Sequence, residues 1–242
     1  MNGFFDEYTA LYRGQVTNQH LVAHQACCLV VSCQPLLVTD QYAQAVAGKL
    51  VVVPSMVPHR VQLNTEAIFI FLDPHLPFSR CHRAINNRLA PDFEALQALL
   101  TPPADELPAF GAILRQLTPR LFQAPAPVDD RILRLTKYIW QHTHQKLPLP
   151  VLAGLANLSV SRLQHLFAAQ VGMPITRYVH WQRLKVSYGH VLAGNTLTAA
   201  AYEGGFADSA HFSRTFRRMF GLAPSEILRK QQNRSSMPAS GG

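Results

Sequence analysis

Two stretches of the chain place polar hydrogen-bonding groups on a helix face that no apolar side chain shares. In SAHFSRTFRRMF, residues 209–220, Phe212, Phe216, Met219 and Phe220 recur at helical spacing, which leaves the opposite side to His211, Arg214, Arg217 and Arg218. In VSRLQHLFAAQV, residues 160–171, Val160, Leu163, Leu166, Phe167 and Val171 form the apolar side. Ser161, Gln164, His165 and Ala168 share the exposed one, with Arg162 at its edge. Arginine carries a planar fork of donors that fits a phosphate or a guanine edge, and glutamine can both donate to and accept from an adenine edge. A helical hairpin with a merely solvated basic face would have the same pattern, so the surroundings of these faces must decide.

A second group of reactive side chains lies near the N-terminus. His20, His24 and His59 could supply imidazole nitrogen, and Cys33 or Cys81 sulfur, but no spacing compels a metal site, which needs three or four ligands and a supporting shell. The cysteines Cys27, Cys28, Cys33 and Cys81 show no C-x-x-C spacing, and Cys27 and Cys28 fall on opposite faces of a strand. Buried free thiols are the expectation, and a redox or soft-metal sensor is the alternative. A metal-free pocket for a small molecule, with His24, His59 and Arg60 as its candidate ligand-binding residues, is favoured, and no cofactor is expected.

Each donor face near the C-terminus follows a short helix and a turn. Upstream, Pro150 suits a first helical turn, Leu152, Leu155 and Ala156 point inward, Asn157-Leu158 turns the chain and Ser159 caps the next helix. Downstream, an alanine-rich helix from Leu197 stops at Gly204-Gly205, and Asp208 starts the second helix. Both pairs have the form of a helix-turn-helix, which pushes its second helix into a DNA major groove. Between them a helix from Ile175 to about Leu192 ends at Ala193-Gly194. Eighteen residues span about 27 Å, close to the roughly 34 Å between successive major-groove faces. A further helix runs from Asp130 to Gln141, with Ile132, Leu135, Tyr138 and Ile139 inward.

The other half has a different texture. Residues 20 to 73 read as β, with runs at Cys27–Val31, Leu36–Val38, Lys49–Val53 and Ile68–Phe71 separated by turns, as in a small sandwich or barrel. From Arg83 to Phe122 the pattern is helical, with one stripe at Phe93, Leu96, Leu99 and Leu100 and another at Phe110, Ile113, Leu114, Leu117 and Leu121. QAPAPVDD, 123–130, reads as a linker. Charge divides at the same place: residues 1–125 hold 8 Lys or Arg against 9 Asp or Glu, and residues 126–242 hold 14 against 5. The whole basic excess therefore lies with the donor faces, as phosphate binding requires. No run of eighteen apolar residues exists, and the opening MNGFFDEYTALYRG has no basic-then-apolar order, so a cytoplasmic protein without a membrane span is expected.

The stretch from about Leu149 to Ser225 resembles the AraC/XylS class of bacterial transcription regulators. The residues that carry the likeness are Ala153, Ser159-x3-Leu163-x3-Phe167 and Gly172 in the first motif and Arg183-Leu184 in the bridge. In the second they are Gly205-Phe206-x-Asp208-x3-Phe212-Ser213-Arg214-x-Phe216, Gly221 and Pro224. Ile227-Leu228 replaces the usual Tyr-Arg after the closing proline. The resemblance implies base reading by Ser161, Gln164 and His165 and by Ala210 and Arg214, with His211 beside them, and phosphate contacts by Arg162, Arg177, Arg217 and Arg218.

GKLVVVPSMVPHRV, with Gly48, Pro54 and His59 at intervals of six and five residues, is similar to the second motif of the cupin barrel, although Met56 stands where that family has a glycine. The cupin's first metal motif is hardly present.

The expected fold class is α+β: an N-terminal small β-barrel of cupin-like type, a helical linker and a C-terminal all-α double helix-turn-helix. The expected domains are 1–125, an effector-binding and dimerisation unit with a helical segment 84–122, then 126–230 for DNA binding, then a flexible tail 231–242. The implied function is a sequence-specific transcription regulator, not an enzyme, with double-stranded DNA, a small-molecule effector and a second copy of the chain as partners; RNA polymerase is left open as another. The alternatives are a metal- or redox-responsive regulator using His59 and the N-terminal cysteines, and a cupin metalloenzyme with a DNA-binding appendage. Alkyl transfer onto a cysteine is disfavoured, because Cys27-Cys28 lacks the spacing of a zinc-activated cluster.

Overall fold

The computed structural model describes residues 3–14, 21–76, 84–85, 128–220, 222–226 and 228–229. His20, Cys81, nearly all of the helical stretch expected over 84–122, most of the linker and the tail lie outside the described residues.

Six strands form one antiparallel sheet: β1 (Gly3–Phe5), β2 (Thr9–Gly14), β3 (Cys27–Asp40), β4 (Ala45–Val53), β5 (His59–Gln62) and β6 (Ala67–Leu72). Their order is β1-β2-β6-β3-β4, with β5 paired to β3. The fold class holds, but the expected barrel is an open sheet among the described strands. Strand β3 bends midway: its register against β4 shifts between Val31 and Leu36, around the exposed Cys33-Gln34-Pro35. A proline gives the ladder no N–H, so the strand bends there. Its first half pairs with β6 and its second half with β5. The sequence shows the two halves as separate apolar runs because the bend interrupts the run, not the strand. Cys27 to Val31 and all of β6 are buried without alternation, as expected for strands covered on both faces.

The turn into β5 keeps a glycine-like conformation without the glycine. Met56, at the position where the cupin pattern has glycine, has φ of 63° and an exposed side chain, in the left-handed region that costs a non-glycine residue free energy.

The helical half contains α1 (Asp130–Gln141), α2 (Leu149–Leu155), α3 (Val160–Val171), α4 (Ile175–Leu192), α5 (Leu197–Glu203) and α6 (Ser209–Phe220). Asp129 caps α1 by accepting from the Arg131 N–H, and Ser159 caps α3 by accepting from the Arg162 N–H. One apolar cluster joins α1, α2 and α3 to the start of α4, around Leu152, Phe167 and Tyr178. A second holds Trp181, Leu184 and Tyr188 of α4 with Phe212 and Phe216 of α6, and it continues into the sheet through Cys28, Val30, Phe69 and Phe71. Helix α4 therefore packs against both motifs and the sheet, which explains why it is buried on most sides and shows no clean apolar stripe.

A buried polar hub fastens α4 to the sheet. Asp73, just past β6, accepts at Oδ2 from Lys185 Nζ at 2.9 Å, Trp181 Nε1 at 3.1 Å and Gln182 Nε2 at 2.6 Å. Its Oδ1 lies 2.6 Å from His75 Nδ1. Lys185 also donates to the backbone carbonyls of Asp6 and Glu7 at 3.1 and 2.6 Å, so its three N–H groups have three acceptors. Burial alone would raise the Asp73 pKa, but Lys185 and His75 outweigh it and hold the carboxyl well below the usual carboxylate range.

Candidate nucleic-acid interface

The two motifs are built on the same turn. In the first, Asn157 adopts φ of 52° and the Leu158 N–H bonds the Ala153 carbonyl at 3.0 Å. In the second, Gly205 adopts φ of 74° and the Phe206 N–H bonds the Ala201 carbonyl at 2.9 Å. Asp208 then accepts from the His211 N–H at 2.6 Å and starts α6 as Ser159 starts α3. Ser161, Gln164 and His165 of α3 thus correspond in position to Ala210, Ser213 and Arg214 of α6.

All the sequence-selected residues of α3, namely Ser161, Arg162, Gln164 and His165, are exposed. On α6, Ala210, Arg214, Arg217 and Arg218 are exposed and His211 is partly buried, its ring 5.4 Å from that of Phe206. Arg217 already has a partner, Glu226 at 3.6 Å, whereas Asp208, the carboxylate nearest Arg214 in sequence, is engaged as a cap. Arg177 is exposed on α4 and lines one cleft together with Arg218.

Two residues of this surface have no DNA contact assigned to them from the sequence. Ser213 is partly buried and falls where Gln164 does in the first motif. His180 follows Arg177 by three residues on α4, a helical spacing that could have revealed it. Partial burial lowers its pKa, and Arg183, His211 and Arg218 lower it further, so positive groups of α4 and α6 converge there. Arg183 itself serves the scaffold: Nε donates to the Thr143 carbonyl at 3.2 Å and Nη2 to that of Gln145 at 3.0 Å, which ties the α1–α2 connection to α4.

The N-terminal candidates separate. His24 and His59 come together with ring centroids 4.6 Å apart, both buried, whereas Arg60 is exposed on the other side of its strand. His59 Nδ1 lies 2.9 Å from the Val57 carbonyl, which makes it the protonated nitrogen, and His24 stands edge-on to Phe71. Among the described residues no group of three or more His, Cys, Asp or Glu could hold a metal ion. Cys27 and Cys28 are buried, and burial pushes the Cys28 thiol well up; Cys33 is exposed.

Burial lowers the pKa of both histidines, and the neighbouring His59 lowers that of His24 further. In the unfolded chain each takes up a proton below about pH 6.5, which the folded chain resists, so this share of stability is complete above that pH and is lost as pH falls. Each histidine should contribute a slope of about 1.4 kcal/mol per pH unit, until pH reaches its folded-state pKa. Urea titrations at pH 7.5, 6.5 and 5.5 check this, and His24→Phe should flatten the profile.

A helix-turn-helix domain family matches residues 152–230. Over 105 residues the chain is 33% identical to the arabinose operon regulatory protein of Escherichia coli (strain K12), a match covering 42% of this chain and 35% of that protein. Residues 152–230 are a helix-turn-helix domain, similar to that of this AraC-type regulator.

The HTH-type transcriptional activator RhaS of Escherichia fergusonii is 32% identical over 109 residues, 44% of this chain and 39% of its own length. The chain thus spans little more than a third of the length of these curated relatives. Outside the helix-turn-helix domain the likeness is one of fold. ToxT from Vibrio cholerae superposes with a TM-score of 0.61 at 13% identity, covering 91% of this chain and 97% of that one. An unsaturated fatty acid bound form of ToxT gives 0.58 at 12% identity, covering 94% and 95%. Among the described residues no helix is long and apolar enough to cross a membrane.

Proposed function

We propose that the chain is a sequence-specific DNA-binding regulator of transcription whose sheet half receives a small-molecule effector. The observation that carries this reading is the repetition of one turn, at Asn157 and at Gly205, which sets two polar helix faces on either side of α4. With α4 about 27 Å long, α3 and α6 are suited to successive major grooves of one duplex. Gln164 is assigned to an adenine edge and Arg214 to a guanine edge, with Ser161, His165, Ala210 and His211 beside them. Arg162, Arg177 and Arg218 are assigned to phosphates, and Arg217 to a lesser share because Glu226 competes for it.

Replacing Arg214 by alanine should weaken specific binding by about 1–3 kcal/mol and relax preference at one base pair. Arg177→Ala and Arg218→Ala should instead weaken binding to every sequence and make the salt dependence shallower. Competition binding with the preferred duplex against mismatched duplexes separates the two classes. If Arg214→Ala kept wild-type discrimination, its assignment as a base reader would be wrong.

We assign residues 1–125 to effector binding and dimerisation, residues 126–230 to DNA binding and residues 231–242 to a tail, in a cytoplasmic homodimer that is not an enzyme. RNA polymerase is the protein partner that an activator of the RhaS kind suggests. The fold likeness to a protein solved with a fatty acid supports a small-molecule effector. A thiol-based sensor that uses Cys27 or Cys28 is disfavoured by their burial, and among the described residues no group of three or more His, Cys, Asp or Glu supports a metal sensor or metalloenzyme.

A further inference from the structure

The sheet and α6 enclose a space that belongs to neither alone. It is lined from the sheet side by Val61, Phe69, Phe71 and His24, and from the helical half by Tyr188, Phe216, Phe220 and Leu222. As it stands the free space measures only about 30 Å³, room for a water rather than a ring, so a ring-sized guest enters only by displacing a side chain. Phe220 closes it: this ring lies 4.9 Å from Phe71, 6.0 Å from His24 and 4.4 Å from Phe216, and it sits on the last turn of α6, where a helix end gives way most easily.

Among the described residues that line it there is no Asp, Glu, Lys or Arg. His24 is 4% exposed, and its Nδ1 is buried with no hydrogen-bond partner among the described residues. A buried polar atom of this kind is costly to leave unmet, and a ligand that meets it recovers that cost. Rings on most sides favour a flat aromatic guest over an aliphatic one.

We infer that this pocket binds a small, uncharged aromatic molecule carrying a single hydroxyl or N–H group, which meets His24 while the ring displaces Phe220. A carboxylate would enter a space whose described lining offers no cation, at the full cost of losing water. Displacing Phe220 moves the end of α6, so occupancy acts directly on the second DNA-reading motif. This regulatory consequence rests on the function proposed above, whereas binding does not.

Calorimetry of the full chain at pH 7.5 with 2-naphthol, naphthalene and 2-naphthoate tests the inference. Binding should be strongest for 2-naphthol, about 3- to 10-fold weaker for naphthalene, which lacks the hydrogen bond, and weaker still for 2-naphthoate. His24→Phe should remove the preference of naphthol over naphthalene, and Phe220→Ala should tighten both. Equal or better binding of naphthoate, no binding of any of the three, or a naphthol preference that survives His24→Phe would each overturn it. Since no DNA is present, such a failure would leave the DNA-binding reading intact.

Discussion

Replacing Lys185 by methionine should destabilise the folded chain by about 3–5 kcal/mol, the cost of leaving one partner of a buried ion pair uncompensated. Both side chains of the Lys185–Asp73 pair are inaccessible to solvent. Methionine fills much of the same volume, so the loss is not mainly one of packing. Asp73 would keep its bonds from Trp181, Gln182 and His75, but no longer the cation that holds it ionised, and the Asp6 and Glu7 carbonyls would lose their donor. Against a total stability of about 5–15 kcal/mol this is a large fraction. Adding Asp73→Asn to Lys185→Met should recover part of the loss, because the orphaned charge is then gone. Urea unfolding of the two single variants and the double variant gives the coupling directly. A single variant within 1 kcal/mol of wild type, or costs that simply add, would show that the hub does not fasten α4 to the sheet.

Gly205→Ala is the second large effect, expected at roughly 2–5 kcal/mol. Alanine in the left-handed region costs about 1–2 kcal/mol, and the new methyl would overlap the Thr143 carbonyl oxygen, forcing a backbone shift worth about 1–3 kcal/mol more. That carbonyl is the one Arg183 holds, so the strain would reach the α1–α2 connection as well as the second motif. Thermal unfolding followed by circular dichroism measures the loss. The matched first-motif change, Asn157→Gly, should not destabilise, because it relieves the same left-handed conformation at φ of 52°.

The helices of the C-terminal half were legible in the sequence, although Leu155, expected inward, is exposed. The helices carry their own caps, at Asp129, Ser159 and Asp208, and both turns are marked by residues that tolerate positive φ, so local chemistry alone predicts where α1, α3, α4 and α6 lie. The sheet was half legible. The cores of β3, β4 and β6 appear as apolar runs, but β1 and β2 do not, because GFF and TALYRG are short: β1 is held by β2, and β2 by β6, some sixty residues away. The bend at Pro35 hid the continuity of β3.

The candidate site divides the same way. Exposed faces on α3 and α6 follow from helical periodicity, whereas His180 acquires its place among the cations only when α6 packs across α4. Lys185 looked like one more positive charge of a basic half. Nothing in its neighbours in sequence reveals a buried role, since all its acceptors lie more than a hundred residues upstream. His24 and His59 stand out in the sequence by type alone, and their meeting depends on an isolated bridge between Val22 and His59. Arg60 differs because a strand turns successive residues to opposite faces.

The paired reader is tested most directly by hydroxyl-radical footprinting of the full chain on a duplex enriched from a random-sequence pool. Each bound chain should protect two segments about one helical turn, roughly 10 base pairs, apart on the same face of the DNA. Arg214→Ala should weaken protection of one segment and leave the other. A single protected segment per chain, or protection that does not depend on sequence, would contradict the account.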